Sequence, residues 1–363
     1  MSMKLLRLTP ALKATSSSYN QFSLGFKNSI DQTVGSLHKH EVSIDENIRV
    51  FHGDGSPFLM IKQIKRFIAK IEFDVIHIHN GLTGFLFILA IFPLKLGLLK
   101  KTVFTLHNSW NVLKIQNKFF NLIVILLANK VCTCGQSSHE SLPKILSYFI
   151  ASKTKAVING FDNNRIDRVQ NNKFKVTHFD QRSRIKILYV GGLTKTKNQI
   201  ALLDVLNSTA LDAELIFLGD GINKKYLIDF SKNISNSVKI DFKGLISRDS
   251  TIEHMLEADI FISLSKGEGL PIAVLEAMYS GCFMVLSTIP PHQEVSPPSE
   301  RCLFVDRTNK GEIVNALNYV SNHIEKIQGE REISKDYAIS KFGMKNMLAN
   351  YREVYDSISK ESK

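Results

Sequence analysis

The stretch SLSKGEGLPIAVLEAMYSG (263–281) decides how the rest of the chain is read. It begins in a short apolar run, DIFISLS (259–265); a glycine-containing loop then carries Glu268, and Pro271 suits the first turn of a helix that ends near Gly281. Strand, glycine loop and helix in that order make one βα unit of a parallel sheet. Inside the helix Glu276 lies among Ile272, Ala273, Val274, Leu275, Ala277 and Met278. A carboxylate in such company is costly unless satisfied. It is either an ordinary exposed helix glutamate or an acceptor for vicinal hydroxyls such as those of a ribose. On the second reading Glu268 contacts another polar group at the mouth of a cleft, and the amides of Gly269 and Leu270 point at an anion between them.

Working outward, the same alternation recurs. RIKILYVGG (184–192), AELIFLGDG (213–221), SVKIDFKG (237–244) and CFMVLS (282–287) read as further strands, each followed by a turn and a helical stretch. Upstream, KLLRL (4–8), DVIHIH (74–79), TVFTLH (102–107), KVCTC (130–134) and KAVIN (155–159) are short and apolar and end in polar residues, as buried parallel strands do. Between them, FLMIKQIKRFIAKI (58–71) places Phe58, Ile61, Ile64, Phe67, Ile68 and Ile71 on one helical face. The polar segment 162–184 reads as a linker or exposed loop, and 342–360 as a helix. The fold class is therefore α/β, with two parallel sheets in succession.

A length of 363 residues fits two domains, and 44% hydrophobic with 22% charged residues excludes a disordered or fibrous chain. Four cysteines cannot form a disulfide framework, and Cys132 and Cys134 are spaced too closely for a metal or redox pair. A reducing cytoplasm fits, and the start MSMKLLRLTPALK lacks the apolar stretch of a secretory signal. The net charge of +12 belongs to the first half: residues 1–165 hold 20 Lys and Arg against 9 Asp and Glu, the remainder 26 against 25. Pro93 and Lys95 interrupt the apolar run 81–99, and 119–128 is too short to span a bilayer. Both runs read as helices buried on a sheet, or as a surface that dips into a membrane with Lys95, Lys100, Lys101, Lys114 and Lys118 drawn to anionic lipid.

In open parallel sheets ligands bind beyond the carboxyl ends of the strands. There, Gly191 and Gly192 allow close approach to a ligand, and Lys195 and Lys197 stand near the start of the next helix, which suits a diphosphate. GDG (219–221), after its strand, reads as a turn or as a loop that contacts a ligand. His107 ends its strand and is either packed or turned toward an interdomain cleft; His77 and His79 alternate, so they share a face, with His79 nearer the strand end. No zinc-type pair, acidic metal–diphosphate motif or serine elbow appears.

These residues resemble the retaining glycosyltransferases of the GT-B fold, of the family-4 type that includes bacterial polysaccharide and lipopolysaccharide sugar transferases. The resemblance rests on the glutamate pair in EGLPIAVLEAM (268–278) with SGC and IPPHQEV (289–295) after it. VGGLTKTKN (190–198), LGDG, FKG (242–244), EADIFISLS (257–265) and NGFD (159–162) support it. It implies two Rossmann-like domains facing across a cleft: an acceptor-side domain over 1–165, a linker over 166–184, and a donor domain over 185–341. The terminal helix, 342–363, would pack back on the first.

The implied donor is a nucleotide sugar, UDP-linked by family habit, and the acceptor a saccharide or a polyprenyl-diphosphate-linked saccharide. Lys197 would bind the diphosphate beside Gly191 and Gly192, Glu276 the ribose, and Leu245 and Ile246 the base. Glu268 would hold the transferred sugar with help from Gly269 and Leu270, and His107 would lie near the reacting centre. No metal or further cofactor is implied, nor nucleic acid; the expected location is the cytoplasm, peripheral on the inner face of the membrane. Two departures stand out. Gly192 replaces the family's usual arginine, a place Lys195 can fill, and the usual glycine-rich turn after the first strand is LTPALKATSSSYNQF, in which Ser16 to Ser18 could donate hydrogen bonds.

Other readings are a nucleotide-sugar epimerase or phosphorylase on the same architecture, or a non-catalytic basic membrane- or nucleic-acid-binding protein. The charge is dispersed among apolar helices without aromatics interleaved on a strand platform, which disfavours the last. A nicotinamide oxidoreductase lacks its GxGxxG after the first strand of either half.

Overall fold

The computed structural model describes residues 2–13, 18–174, 184–209, 211–234, 237–296 and 301–361. The chain folds as two compact units, Met1–Gly160 with Met344–Lys363, and Phe161–Gly343. Ser16 and Ser17 lie outside the described residues, as does the side chain of Ser18.

Among the described residues the first unit has seven strands: β1 (Lys4–Thr9), β2 (Asp31–Ser36), β3 (Ile48–His52), β4 (Val75–Ile78), β5 (Thr102–Leu106), β6 (Lys130–Thr133) and β7 (Thr154–Ala156). All pair in parallel, in the order β3-β2-β1-β4-β5-β6-β7. One face is covered by Pro57–Lys70, Gly81–Ile91 and Ile115–Leu127, whose Met60, Ile64, Phe87, Val124 and Ile125 join a core with Leu6, Ile76 and Phe104. The other face is covered by Met344–Glu361, which buries Met347, Tyr351, Val354, Tyr355 and Ile358 against Leu5, Phe22, Val75 and Val103. Phe58, placed by periodicity on the buried face of Pro57–Lys70, is 75% exposed. Met60 takes the inward position, because the helix starts at Pro57 behind the Ser56 cap.

The second unit has six described strands: β8 (Ile185–Val190), β9 (Ala213–Leu218), β10 (Val238–Gly244), β11 (Ile260–Ser263), β12 (Phe283–Ser287) and β13 (Cys302–Val305). They are parallel in the order β10-β9-β8-β11-β12-β13 around a core that includes Ile187, Leu203, Phe217, Ile262 and Val285. The linker expectation is corrected over 163–174, which form a helix, Asn163–Phe174. Its polar composition belongs to the outer face, while Ile166 and Val169 are buried. Arg165 Nε meets Asp249 Oδ1 at 2.5 Å, and Tyr279 Oη donates to Asp167 Oδ1 at 2.7 Å, so the helix is anchored to two others of this unit.

Strand order reverses next to β1 in one unit and next to β8 in the other. That reversal splays the loops after β1 and β4, and after β8 and β11, into a crevice at the carboxyl ends of the strands. The candidate residues cluster there.

Candidate active site

In the second unit the crevice lies between the loop after β8 (191–198) and the loop after β11 (264–270). Tyr189, buried, donates its hydroxyl to the Lys197 carbonyl and accepts from the Leu264 amide at 3.2 Å. Burial pushes that phenol's pKa up, so it remains a donor. Asn198 Nδ2 donates to Leu264 O at 3.2 Å, and the Lys266 amide to Thr196 O at 2.8 Å. Thus stitched, the loops bring the Lys197 ammonium to 2.5 Å from Glu268 Oε1, which also accepts from Ser265 Oγ at 2.6 Å.

GDG is what lets the β8 loop lie flat. Gly219 has φ +135°, and a Cβ there would stand 2.1 Å from the Gly191 carbonyl oxygen. Gly191 carries the Lys197 side chain over its own backbone, a Cβ at 191 meeting Lys197 Cε at 3.3 Å. Gly192 is under no such constraint; its Cβ would meet only ordinary contacts at 3.7 Å.

Pro271 is the residue before the helix Ile272–Tyr279 rather than its first turn. Glu276 is buried there and paired with Arg248, at the start of the helix Arg248–Glu257 capped by Ser247. Nothing in the sequence singled out Arg248; it is the cation that satisfies the carboxylate. Its Nε is buried without a partner among the described residues. The amides of Gly269 and Leu270 donate to no protein group among the described residues. Leu245 is exposed and Ile246 half-buried in the turn after β10. Lys195 is exposed and lines a different pocket, one whose walls include neither Lys197 nor Glu268.

IPPHQEV contributes a residue the motif alone did not single out. His292 is fully buried, with Nδ1 donating to Ser287 O at 3.0 Å and Nε2 3.3 Å from Ser263 Oγ. Ser263 Oγ lies 3.2 Å from Ser265 Oγ, so a polar chain runs from His292 to Glu268. Burial pushes this imidazole down to about 4, leaving it neutral at pH 7.

In the first unit the equivalent crevice holds a buried cation. Arg7, on β1 in register with His77 of β4, is 1% exposed. Its Nε donates to Gln32 Oε1 at 3.0 Å, and its Nη1 reaches His77 Nδ1 at 3.1 Å and His79 Nε2 at 3.3 Å. The guanidinium also lies 5.4 Å from the ring centres of Phe22 and Phe26. Because Arg7 can only donate, His79 Nε2 accepts and its proton sits on Nδ1, which donates to His107 Nε2 at 2.9 Å. The His107 proton is then on Nδ1, which no protein group meets among the described residues. Desolvation pushes His107 down to about 4; it also drives His77 and His79 well below their ordinary range, with Arg7 adding to the effect. Two neutral imidazoles, His77 and His79, therefore contact the guanidinium, and a third, His107, ends the relay as a hydrogen-bond donor. His79, His107, Asn80, Asn117 and Asn121 line a small polar pocket of about 60 Å³ beside it.

Crevices at strand-order reversals, one holding a lysine against a carboxylate beside free backbone amides, define an α/β ligand-binding enzyme of the two-Rossmann, GT-B type. Comparison with known proteins agrees. Anabaena HepE, solved with UDP and glucose, superposes with a TM-score of 0.75 at 18% identity, covering 98% of this chain and 100% of that one. The sucrose-phosphate synthase of Thermosynechococcus elongatus gives 0.77 at 12% identity, covering 98% and 99%.

Residues 170–334 match the family described as Glycosyl transferases group 1, so the chain carries a group 1 domain and is a glycosyltransferase. The Staphylococcus aureus capsular polysaccharide biosynthesis glycosyltransferase CapH is 25% identical over 252 residues, 66% of this chain and 65% of that one. An uncharacterized 41.2 kDa protein in the cps region of Klebsiella pneumoniae is 22% identical over 293 residues, 79% of each. An Escherichia coli UDP-Gal:alpha-D-GlcNAc-diphosphoundecaprenol alpha-1,3-galactosyltransferase is 23% identical over 273 residues, 68% of each.

Proposed function

We propose that this glycosyltransferase moves a sugar from a UDP-linked donor, with retention of anomeric configuration, to a lipid-linked saccharide in bacterial surface-polysaccharide assembly. The observation that carries the reading is the 2.5 Å approach of Lys197 to Glu268 across the β8 and β11 loops. One cation and one carboxylate at a reversal point suit a substrate that is part diphosphate and part polyol. Lys197 holds the diphosphate with the amides of Gly269 and Leu270, Glu268 accepts from the transferred sugar's hydroxyls, and Glu276, oriented by Arg248, accepts from the ribose. Leu245 and Ile246 hold the base; Gly191 and Gly192 let the donor approach.

On this reading the C–O bond to the departing phosphate breaks while the acceptor oxygen bonds the same face of the anomeric carbon, and the phosphate oxygen takes the acceptor's proton. The catalytic task is then stabilisation of the leaving diphosphate, with no metal or further cofactor in the scheme. His107 Nδ1–H donates to a substrate hydroxyl. The test is calorimetry with a panel of nucleotide sugars against wild type, Lys197→Met, Glu268→Gln and Glu276→Gln. Unaltered binding in folded variants would refute the assignment.

The same reading places the protein in the cytoplasm, peripheral on a membrane. No helix among the described residues is long and apolar enough to cross one. Ile115, Phe119, Leu122 and Leu126 form a stripe at helical spacing on the exposed side of Ile115–Leu127, while Val124 and Ile125 face the core. Phe92, Leu94, Ile145, Tyr148 and Phe149 are exposed too, and Lys95, Lys114, Lys118 and Lys144 are interleaved in these segments. Apolar insertion with cationic flanks matches an anionic lipid surface. Cosedimentation with phosphatidylglycerol vesicles should be lost in Ile115→Glu/Phe119→Glu; pelleting equal to wild type would contradict it.

A further inference from the structure

The lysines of TKTK serve two different pockets. Beside the β8 loop lies a cavity of about 360 Å³ walled by Lys195, Gln199, Asn223, Tyr226 and Lys266, with the apolar Ile200 and Leu227 also in its lining. Three features set it apart from a chance surface dimple. Gln199 is 1% exposed; its Nε2 donates to Gly192 O at 3.0 Å, and its Oε1 has no partner among the described residues. A buried carbonyl without a donor carries a desolvation cost that a ligand hydroxyl can relieve. Lys195 and Lys266 both enter from loops, and neither ammonium has an ion-pair partner among the described residues. Tyr226, on the helix Lys224–Ser231, presents an aromatic ring that is 56% exposed.

We infer that this pocket is a second carbohydrate subsite, selective for a saccharide unit bearing an anionic substituent. The ring face of Tyr226 suits the C–H face of a pyranose, Gln199 Oε1 accepts from a ring hydroxyl, and the two ammoniums take a phosphate ester or carboxylate. Sugar phosphate and uronate share this chemistry. The subsite does not rest on the donor assignment, because its walls contain none of Lys197, Glu268 or Glu276.

The test is titration calorimetry of the full chain with glucose 6-phosphate, glucuronate, glucose and inorganic phosphate, in wild type, Tyr226→Ala, Lys266→Gln and Lys197→Met. Expected are binding of glucose 6-phosphate, glucuronate or both at least tenfold tighter than glucose, a fall of tenfold or more in Tyr226→Ala and Lys266→Gln, and no change in Lys197→Met. Whichever anionic sugar binds tighter identifies the source of the charge. Inorganic phosphate binding as tightly as glucose 6-phosphate, with no glucuronate binding, would overturn the inference. So would affinities untouched in Tyr226→Ala and Lys266→Gln. Loss of anionic-sugar binding in Lys197→Met alone would return the ligand to the donor crevice. Nucleotide-sugar binding with no anionic-sugar binding would sink the subsite and leave the donor reading standing.

Discussion

Acidification below pH 6.5 should destabilise both units through their buried histidines. His107 and His292 are each neutral in the fold with the imidazole pushed from an ordinary 6.5 to about 4. Unfolded, both take up a proton as the pH falls through 6.5; folded, neither does until about 4. A depressed folded value of this kind means that stability is complete above 6.5 and drains away on going down to 4. Each pH unit crossed inside that window costs about 1.4 kcal/mol per group, so each histidine removes about 3 kcal/mol between pH 7 and pH 4. His77 and His79 move in the same direction. Against a total of roughly 5–15 kcal/mol for a domain, one such histidine removes a large part of the second unit's stability, and the first unit, with three, loses more. Urea denaturation at pH 7, 6 and 5 measures it, with His292→Gln reporting on the second unit and His107→Gln on the first. Each substitution should flatten the pH slope of its own unit by about 1.4 kcal/mol per pH unit. Equal slopes in wild type and both variants would refute the buried neutral histidines.

Gly192→Arg should fold normally, since a Cβ there meets only contacts at 3.7 Å, and should tighten nucleoside-diphosphate binding roughly tenfold, the worth of one charge-assisted hydrogen bond; calorimetry decides it. Tyr189→Phe should lose about 2–4 kcal/mol in urea melts, because the Lys197 carbonyl and the Leu264 amide are left unpaired, and should weaken donor binding at the same time. Glu276→Ala should cost roughly 3–5 kcal/mol by stranding the Arg248 guanidinium, whereas Glu276→Gln should cost clearly less and separate folding from binding. Denaturation midpoints of the two variants check the difference.

The strands that the sequence discloses are those whose runs are mostly apolar. β2 escapes notice because DQTVGS buries polar groups: Gln32, Thr33 and Ser36 are fully enclosed, and Gln32 is satisfied by Arg7 and by the Ser23 carbonyl. β3 and β13 are short and only partly buried. The helix Asn163–Phe174 reads as a linker because only Ile166 and Val169 mark its inner face. Of the site, Glu268 and Lys197 were legible from strand-end position, and the fold brings them together. Arg248 and the Arg7–His79–His107 relay were not, since a partner supplied from another strand or helix leaves no local periodicity. Arg7, inside KLLRL, reads locally as an interruption of an apolar run rather than as the centre of a buried polar cluster.

At stake throughout is whether Lys197 grips a diphosphate while Glu268 reads the sugar attached to it, and paired titrations of a nucleotide sugar and its bare nucleoside diphosphate separate those two jobs. Lys197→Met should weaken both ligands tenfold or more, and Glu268→Gln should weaken the nucleotide sugar while sparing the nucleoside diphosphate. Folded variants that bind both ligands as wild type does would contradict the assignment of this crevice.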